Sequence, residues 1–346
     1  MTVALVAWGD TSIYWLNPTH DFGAFKEDSG LVSCEFRGVN ISDEPVSIIE
    51  ARATCGCTTP RYSYSAIAPG DTIVMKVAYD PTGRPGRFVK KVFVKNSRDE
   101  NKTELRIEGV VIGNEATLKS RYPIAYGKLR LQNNIIDMGE LPKGTDKGIY
   151  ISAYNQSFDT LNVQLADVPF FMNTSVTPGA IPPGEQATIA FRLLGRECDK
   201  WGPISEEIAL IPQSGDKPFK INVIANIIPN FSKMTPGERM NAPIITFEND
   251  RVNFGVVRRD GEKVTMEVKL KNEGKNTLEI YRAYTISEGV DVKVEKNKIK
   301  GGKHTTVIIT IEPSLYKGEI LNGEIIFIVN DPSNPQARLR FVGELK

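Results

Sequence analysis

The sequence predicts an all-β chain of tandem two-sheet sandwiches, and three observations carry that prediction. A landmark recurs every 116 residues: Asp21-Phe22-Gly23 returns as Asp137-Met138-Gly139 and as Asn253-Phe254-Gly255. Self-similarity at a long fixed period marks one folding unit written several times. Within the units, apolar and polar residues alternate, as where Met266, Val268 and Leu270 interleave with Glu267, Lys269 and Lys271. That is the two-residue period of a strand with one face buried. Turn clusters such as Asp80-Pro81-Thr82-Gly83 and Asn330-Asp331-Pro332 separate the runs at spacings of about 8–12 residues, as in a sandwich. No stretch offers an amphipathic helix of three turns.

The elements follow in the same order in each unit. Ile13, Leu129 and Ile245 stand ten residues before the landmark glycines and open a first strand. A second strand ends on an asparagine each time: Val32 to Asn40, Ile149 to Asn155, Val264 to Asn272. Cys34 aligns with Ile149 and Met266, all expected to face inward. Pro69-Gly70-Asp71, Pro183-Gly184-Glu185 and Gly301-Gly302-Lys303 are turns leading into alternating strands. The units close on Leu105 to Val111, Phe219 to Ile227 and Leu339 to Leu345. About seven strands per unit suffice for two packed sheets. The predicted organisation is three tandem immunoglobulin-like β-sandwich domains in an elongated array, without the inter-sheet disulfide of antibody domains. The domains span 1–112, 128–228 and 244–346, joined by linkers 113–127 and 229–243, which carry Pro and charge. Their similar lengths predict that neighbouring domains meet in similar ways.

Composition excludes several function classes. The chain has 346 residues, 43 Lys+Arg against 42 Asp+Glu, and a net charge of +1. That balance argues against a nucleic-acid partner or an acidic lipid surface. The basic run Lys293, Lys296, Lys298, Lys300 and Lys303 alternates with Val294 and Ile299 and reads as a solvated strand face. Two histidines, His20 and His304, leave few general bases. No run approaches the roughly 20 apolar residues of a membrane-spanning helix. The opening Met-Thr-Val-Ala-Leu-Val-Ala-Trp reads as the tail of a signal peptide's apolar region, favouring export, or as a first apolar strand over Val3 to Trp8.

Few residue patterns point to chemistry. Asp21-Phe22-Gly23 matches the magnesium motif of protein kinases, but the glycine-rich and catalytic loops are missing, and Asn253 replaces the acid. It reads instead as a strand residue packing Phe22 inward before a glycine turn. Cys55-Gly56-Cys57 is the one candidate for chemistry. In an extended chain residues i and i+2 lie about 6.6 Å apart, near the limit for a disulfide. A local disulfide or structural turn is favoured, followed by free thiols, then by a metal or redox site in which His20 would be a further donor. The strand count places the pair at the end of the first unit that leads into the second. Cys34 is expected to be an inert core thiol, and Cys198 to lie in a loop at the far end of the second unit. Tyr62 and Tyr64, read as alternating on one face of a short strand, and Trp201 are the candidate binding surface, weighed against packing roles at a sheet edge and a domain end. The Asn-x-Ser/Thr sites at Asn40, Asn101, Asn155, Asn173 and Asn230 are too cheap by chance to carry weight. No catalytic triad, carboxylate pair or phosphate loop is evident, so no cofactor and no catalytic residue are assigned.

His20-Asp21-Phe22-Gly23, Asn40, Thr54-Cys55-Gly56-Cys57-Thr58, Pro69-Gly70-Asp71 and Asp80-Pro81 with Gly86 together resemble a bacterial domain-of-unknown-function family with a Cys-Gly-Cys-Thr signature, related to the ASH/MSP/Hydin-type sandwiches. The resemblance covers residues 13–112 best, touches the third unit at Asn253-Phe254-Gly255, Asn272-Glu273-Gly274 and Asn330-Asp331-Pro332, and is weaker in the second. It implies an immunoglobulin-like fold and an exported, periplasmic protein of no established activity. The combined expectation is a non-catalytic interaction or scaffold protein of the cell envelope, partnered by an envelope protein or glycan. The alternatives are a metal or thiol-redox module at Cys55 and Cys57, and carbohydrate binding.

Overall fold

The computed structural model describes residues 11–212 and 217–346; the expected apolar start, Val3 to Trp8, lies outside the described residues. Three two-sheet sandwiches follow one another. In the first, β1 (Ile13–Trp15), β2 (Thr19–Lys26), β3 (Val32–Asn40), β4 (Ile48–Ala53), β5 (Thr58–Arg61), β6 (Thr72–Tyr79), β7 (Gly86–Asn96) and β8 (Thr103–Ile112) form the sheets β1-β3-β6-β5 and β2-β8-β7-β4. A five-residue helix, α1 (Glu115–Lys119), precedes the second sandwich. There β9 (Ile124–Tyr126), β10 (Leu129–Leu131), β11 (Ile135–Pro142), β12 (Asp146–Asn155), β13 (Leu161–Ala166), β14 (Met172–Thr177), β15 (Ala180–Ile181), β16 (Gln186–Leu194), β17 (Gly202–Pro212) and β18 (Phe219–Ile228) form β14-β16-β12-β10-β9 and β11-β18-β17-β13-β15. After α2 (Pro236–Met240), the third holds β19 (Ile245–Phe247), β20 (Arg251–Val257), β21 (Val264–Asn272), β22 (Leu278–Tyr284), β23 (Val290–Val294), β24 (Lys298–Ile299), β25 (His304–Ile311), β26 (Ile320–Val329) and β27 (Gln336–Leu345), as β19-β21-β25-β23 and β20-β27-β26-β22-β24. Each sandwich has its own apolar core, with Phe36 and Val92, Phe191 and Ile208, and Phe327 and Leu339 among the buried residues.

The repeated landmarks have repeated physical jobs. In Asp-x-Gly or Asn-x-Gly, the side-chain Oδ1 accepts from the glycine amide at 2.8, 2.7 and 2.9 Å. The glycines take φ of 66°, 61° and 66°, a left-handed conformation that costs other residues roughly 1–2 kcal/mol. The motif therefore does not end the strand as expected. It forms a bulge within the parallel pairings β2–β8, β11–β18 and β20–β27. Opposite the bulge stand small residues, Gly109, Ala225 and Gly343. A Cβ at Gly109 would sit 3.0 Å from the Gly23 carbonyl, and one at Gly343 2.9 Å from that of Gly255.

The strand-ending asparagines are buried, Asn40 at 1% and Asn155 and Asn272 at 0% exposure. Asn40 Nδ2 donates to the carbonyls of Glu44 (2.8 Å) and Ile67 (2.9 Å), while its Oδ1 accepts from Ser42 N and Oγ. Asn155 does the same with Asp159, Ile181 and Ser157. Asn272 donates to Asn276 and Ile299 and accepts from the amides of Gly274 and Ile244. The backbone carbonyl of each asparagine receives the turn glycine, Gly70, Gly184 or Gly302, at 2.8, 3.0 and 2.8 Å. All four hydrogen-bonding positions of an uncharged amide are filled without burying a charge.

Three local expectations are corrected. Ile124–Tyr126, read as linker, is a strand paired with β10 across Gly127; its three-residue alternation is too short to stand out from a Pro-rich connector. Met266, expected inward with Val268 and Leu270, is 36% exposed near the start of its strand, while Val264 and Val268 on either side of it pack against the core. The two junctions also differ. At the first, Tyr154 and Gly184 meet the end of the first sandwich, where the Tyr154 hydroxyl accepts from Gly113 N at 3.0 Å. At the second, the contacts come from the sheet of β22, β26 and β27: Trp201 stacks on Tyr281 at 4.1 Å, Arg282 donates to the Trp201 and Pro203 carbonyls, and Gln336 bonds Asn226 and Glu140. Linker length does not decide which face is presented.

Two outcomes are expected. Asn272→Ala strands buried backbone groups, so it should lower the stability of the third domain by about 2–4 kcal/mol; chemical unfolding followed domain by domain should leave the other two transitions in place. Burial alone would raise the Asp99 carboxyl, but hydrogen bonds from Ser12, Asn96 and Thr11 hold it below the ordinary carboxylate range. Such a group stabilises the fold above its unfolded pKa and loses that contribution as pH falls through the folded value. Melting of Asp99→Asn from about pH 7 to about pH 2 should therefore show a shallower acid-side loss for the first domain than the parent chain.

Candidate functional site

The Cys-Gly-Cys segment lies where the first sandwich passes its chain from one sheet to the other. β4 is a free edge of β2-β8-β7-β4, and β5 a free edge of the facing sheet. Between them, Thr54 N donates to the Lys91 carbonyl and Thr58 N to that of Cys55 at 3.3 Å, closing a tight turn. The turn replaces the extended geometry assumed from sequence and brings the Cα atoms of Cys55 and Cys57 to 5.3 Å, where a disulfide joins them. Both cysteines are half-buried, and Cys57 packs against the core. Beneath them the buried Thr58 places its hydroxyl 3.5 Å from Cys55 Sγ and 3.8 Å from Cys57 Sγ.

By loop-closure entropy this bridge stabilises the fold much less than a long-range one would. A loop of three residues yields only about 1.6 kcal/mol by loop-closure entropy, against about 4.7 kcal/mol for a loop of about 100. The other sandwiches make the equivalent crossing, from β13 to β14 and from β22 to β23, with no cysteine. Asp167 at φ 57° and Gly289 at φ 72° supply the turn conformations there.

Cys57 also connects the turn to the first junction. Its carbonyl accepts from Asp80 N at 2.9 Å, and Asp80 opens the loop containing Gly83. The Gly83 amide reaches the buried Glu27 carboxylate at 2.6 Å, which also receives Asn114 N and Thr117 Oγ1, both at 2.9 Å. A cleft of about 450 Å³ lies alongside, lined by Gly83 to Gly86, Leu118, Arg121, Tyr122, Tyr154 and Gly184 to Gln186. Arg130, 1% exposed, donates to the Tyr122 carbonyl and to Glu115, fixing the linker beside the cleft. The sequence reading missed Glu27, Tyr154 and Arg130. A basic residue between Leu129 and Leu131 was the available signal for the last.

The structure does not bring the remaining candidates together. His20, edge to face with Phe22 at 4.6 Å, sits on β2, the opposite edge of the sheet from β4, about 14 Å away over three strand spacings. With both sulfurs also bonded to each other, Cys55, Cys57 and His20 do not form a metal-ligand set. Tyr62 and Tyr64 follow β5 rather than belonging to a strand, their rings 4.9 Å apart. The Tyr62 hydroxyl accepts from Ala51 N at 3.1 Å and so caps the free edge of β4; burial raises the Tyr62 hydroxyl pKa. Tyr64 is 72% exposed. Trp201 is taken up by the second junction, with Tyr281 on its ring and the Lys143 ammonium 4.7 Å from its centroid. Cys34 is in the core, where burial pushes its thiol up to about 11, and Cys198 is a buried thiol in the loop after β16.

Residues 13–111 match a family model described as a protein of unknown function (DUF1573), and residues 243–344 match one described as a HYDIN/CFA65/VesB-like, Ig-like domain. None of the curated proteins matches the chain. Among solved structures, a protein of unknown function from Porphyromonas gingivalis W83 is 19% identical, with 63% of this chain and all of that one covered and a TM-score of 0.48. Titin domains I67–I69 are 10% identical over 96% of this chain and 98% of theirs, at a TM-score of 0.23. The sialic acid binding region of a Streptococcus sanguinis SK1 adhesin is 10% identical, covering 67% and 80%, at 0.24. These likenesses are too loose to carry function. The chain contains immunoglobulin-like domains, and the family descriptions leave their role open.

If the cystine is not a staple, replacing Cys55 and Cys57 together with serine should lower the first domain's stability by no more than about 2 kcal/mol, as read from its unfolding midpoint in denaturant.

Proposed function

We propose that the chain is a non-catalytic interaction protein of the cell envelope that holds binding surfaces at set positions along a series of immunoglobulin-like domains. The observation that carries this reading is the construction of the junctions. At the first, Glu27, Tyr154 and Arg130 tie the two domains to the linker between them, and at the second Trp201 with Tyr281, Arg282 and Gln336 ties the domains directly, by specific buried or stacked contacts. Freely jointed domains would need only polar tethers. The aromatic stack alone contributes about 0.5–1.5 kcal/mol beyond its buried area.

The Cys55–Cys57 disulfide supports an extracytoplasmic location, since such bonds persist in oxidising compartments. The partner is an envelope protein or glycan. Exposed Tyr64 beside the β4 edge offers an aromatic contact of the kind that anchors interfaces. The sugar-binding alternative is less favoured because Trp201 already stacks on Tyr281.

A photo-crosslinking residue at position 64, introduced into the full chain and activated in intact cells, tests the reading. A discrete adduct that is absent when the residue is moved to the far end of the array, at position 315, is expected. Equal labelling at both positions, or none at either, counts against it.

A further inference from the structure

We propose that Cys55 and Cys57 form a thiol–disulfide exchange site for the thiols of a partner protein, with Thr58 stabilising the sulfur that leaves. This goes beyond a spacer role and stands on separate observations. Loop-closure entropy gives a three-residue bridge little stabilising value, and two neighbouring domains build the same crossing without it. The two bridged residues are half-buried, whereas Cys34 and Cys198 are 7% and 1% exposed. Access is one condition of exchange.

Thr58 supplies the next requirement. The residue is 4% exposed, and its hydroxyl lies within hydrogen-bonding distance of both sulfurs, nearer to Cys55. A hydroxyl that donates to a thiolate makes that sulfur the better leaving group. The rest of the turn is tied down from both sides, by Lys91 to Thr54 and by Cys57 to Asp80, so reduction can separate the sulfurs without dismantling the strands around them.

The exchange balances. A thiolate of the partner dithiol attacks Cys57 Sγ and forms a mixed disulfide. The Cys55–Cys57 bond breaks, and its electron pair goes to Cys55 Sγ, which Thr58 holds until it takes a proton from solvent. The partner's second thiolate then attacks its own sulfur in the mixed disulfide, expelling Cys57 as a thiolate that is protonated in turn. The partner leaves as a disulfide, and two electrons and two protons have passed to this chain. A partner disulfide would run the same steps backwards.

The test equilibrates the full chain with graded ratios of reduced to oxidised glutathione, followed by acid quench, alkylation and mass mapping. Cys55 and Cys57 are expected to gain and lose two labels reversibly within the range of the buffer, while circular dichroism before the quench stays that of the native protein and Cys34 and Cys198, free thiols throughout, carry a constant label. In a Cys57→Ser background, Thr58→Val is expected to slow alkylation of Cys55 at fixed pH on the order of ten-fold, an effect that a purely structural role for Thr58 would not produce. Reduction that requires denaturant overturns the proposal. So does reduction, or the Cys55→Ser/Cys57→Ser pair, that unfolds the first domain, or an alkylation rate indifferent to Thr58→Val. These readouts use small thiols, so they stand or fall independently of the crosslinking at position 64.

Discussion

A single buried amide, repeated three times, organises this molecule. Asn40, Asn155 and Asn272 each stand at the end of a central strand and join three segments that would otherwise end in unpaired backbone: the loop just after the strand, the carbonyl of Ile67, Ile181 or Ile299, and the glycine turn that starts the next strand of the same sheet. Only asparagine fits. Aspartate lacks the two donors and would bury a charge, and glutamine would place the amide one methylene too far. With that end closed, the Asp-x-Gly bulge can bend the neighbouring edge strand along the last strand of the sheet, and the two sheets close over an apolar core.

Variation is tolerated where the bracket and the bulge do not reach. The crossing between sheets is one such place. It is made by Cys-Gly-Cys in the first sandwich, by a loop with Asp167 in the left-handed region in the second, and by one ending on Gly289 in the third. Because the fold accepts three different solutions there, a chemically reactive pair can occupy the first at little structural cost. The junctions are the other place. Tyr154 and Arg130 serve one, and Trp201 and Tyr281 the other, from positions that do not correspond between repeats.

How much could be read in advance follows from how local each cause is. The period of 116, the strand-ending asparagines and the turn glycines were visible because each is demanded by the backbone around it. The spacing of Cys55 and Cys57 allows a disulfide but does not give its geometry, because an extended chain sets the distance near the limit whereas the chain turns there to change sheets. A sheet-edge role for Tyr62 is one reading of its sequence position, but its acceptance of a hydrogen bond from Ala51 depends on two strands of different sheets lying side by side.

The sequence by itself determined the architecture, because alternation, caps and left-handed glycines act over a few residues and repeat. Only the tertiary structure decided that Glu27 holds the linker, that Trp201 is covered by the next domain, and that Thr58 lies beneath two sulfurs. Those contacts join residues far apart in the chain or on separate sheets, and their geometry exists only once the sheets have packed and the domains have met.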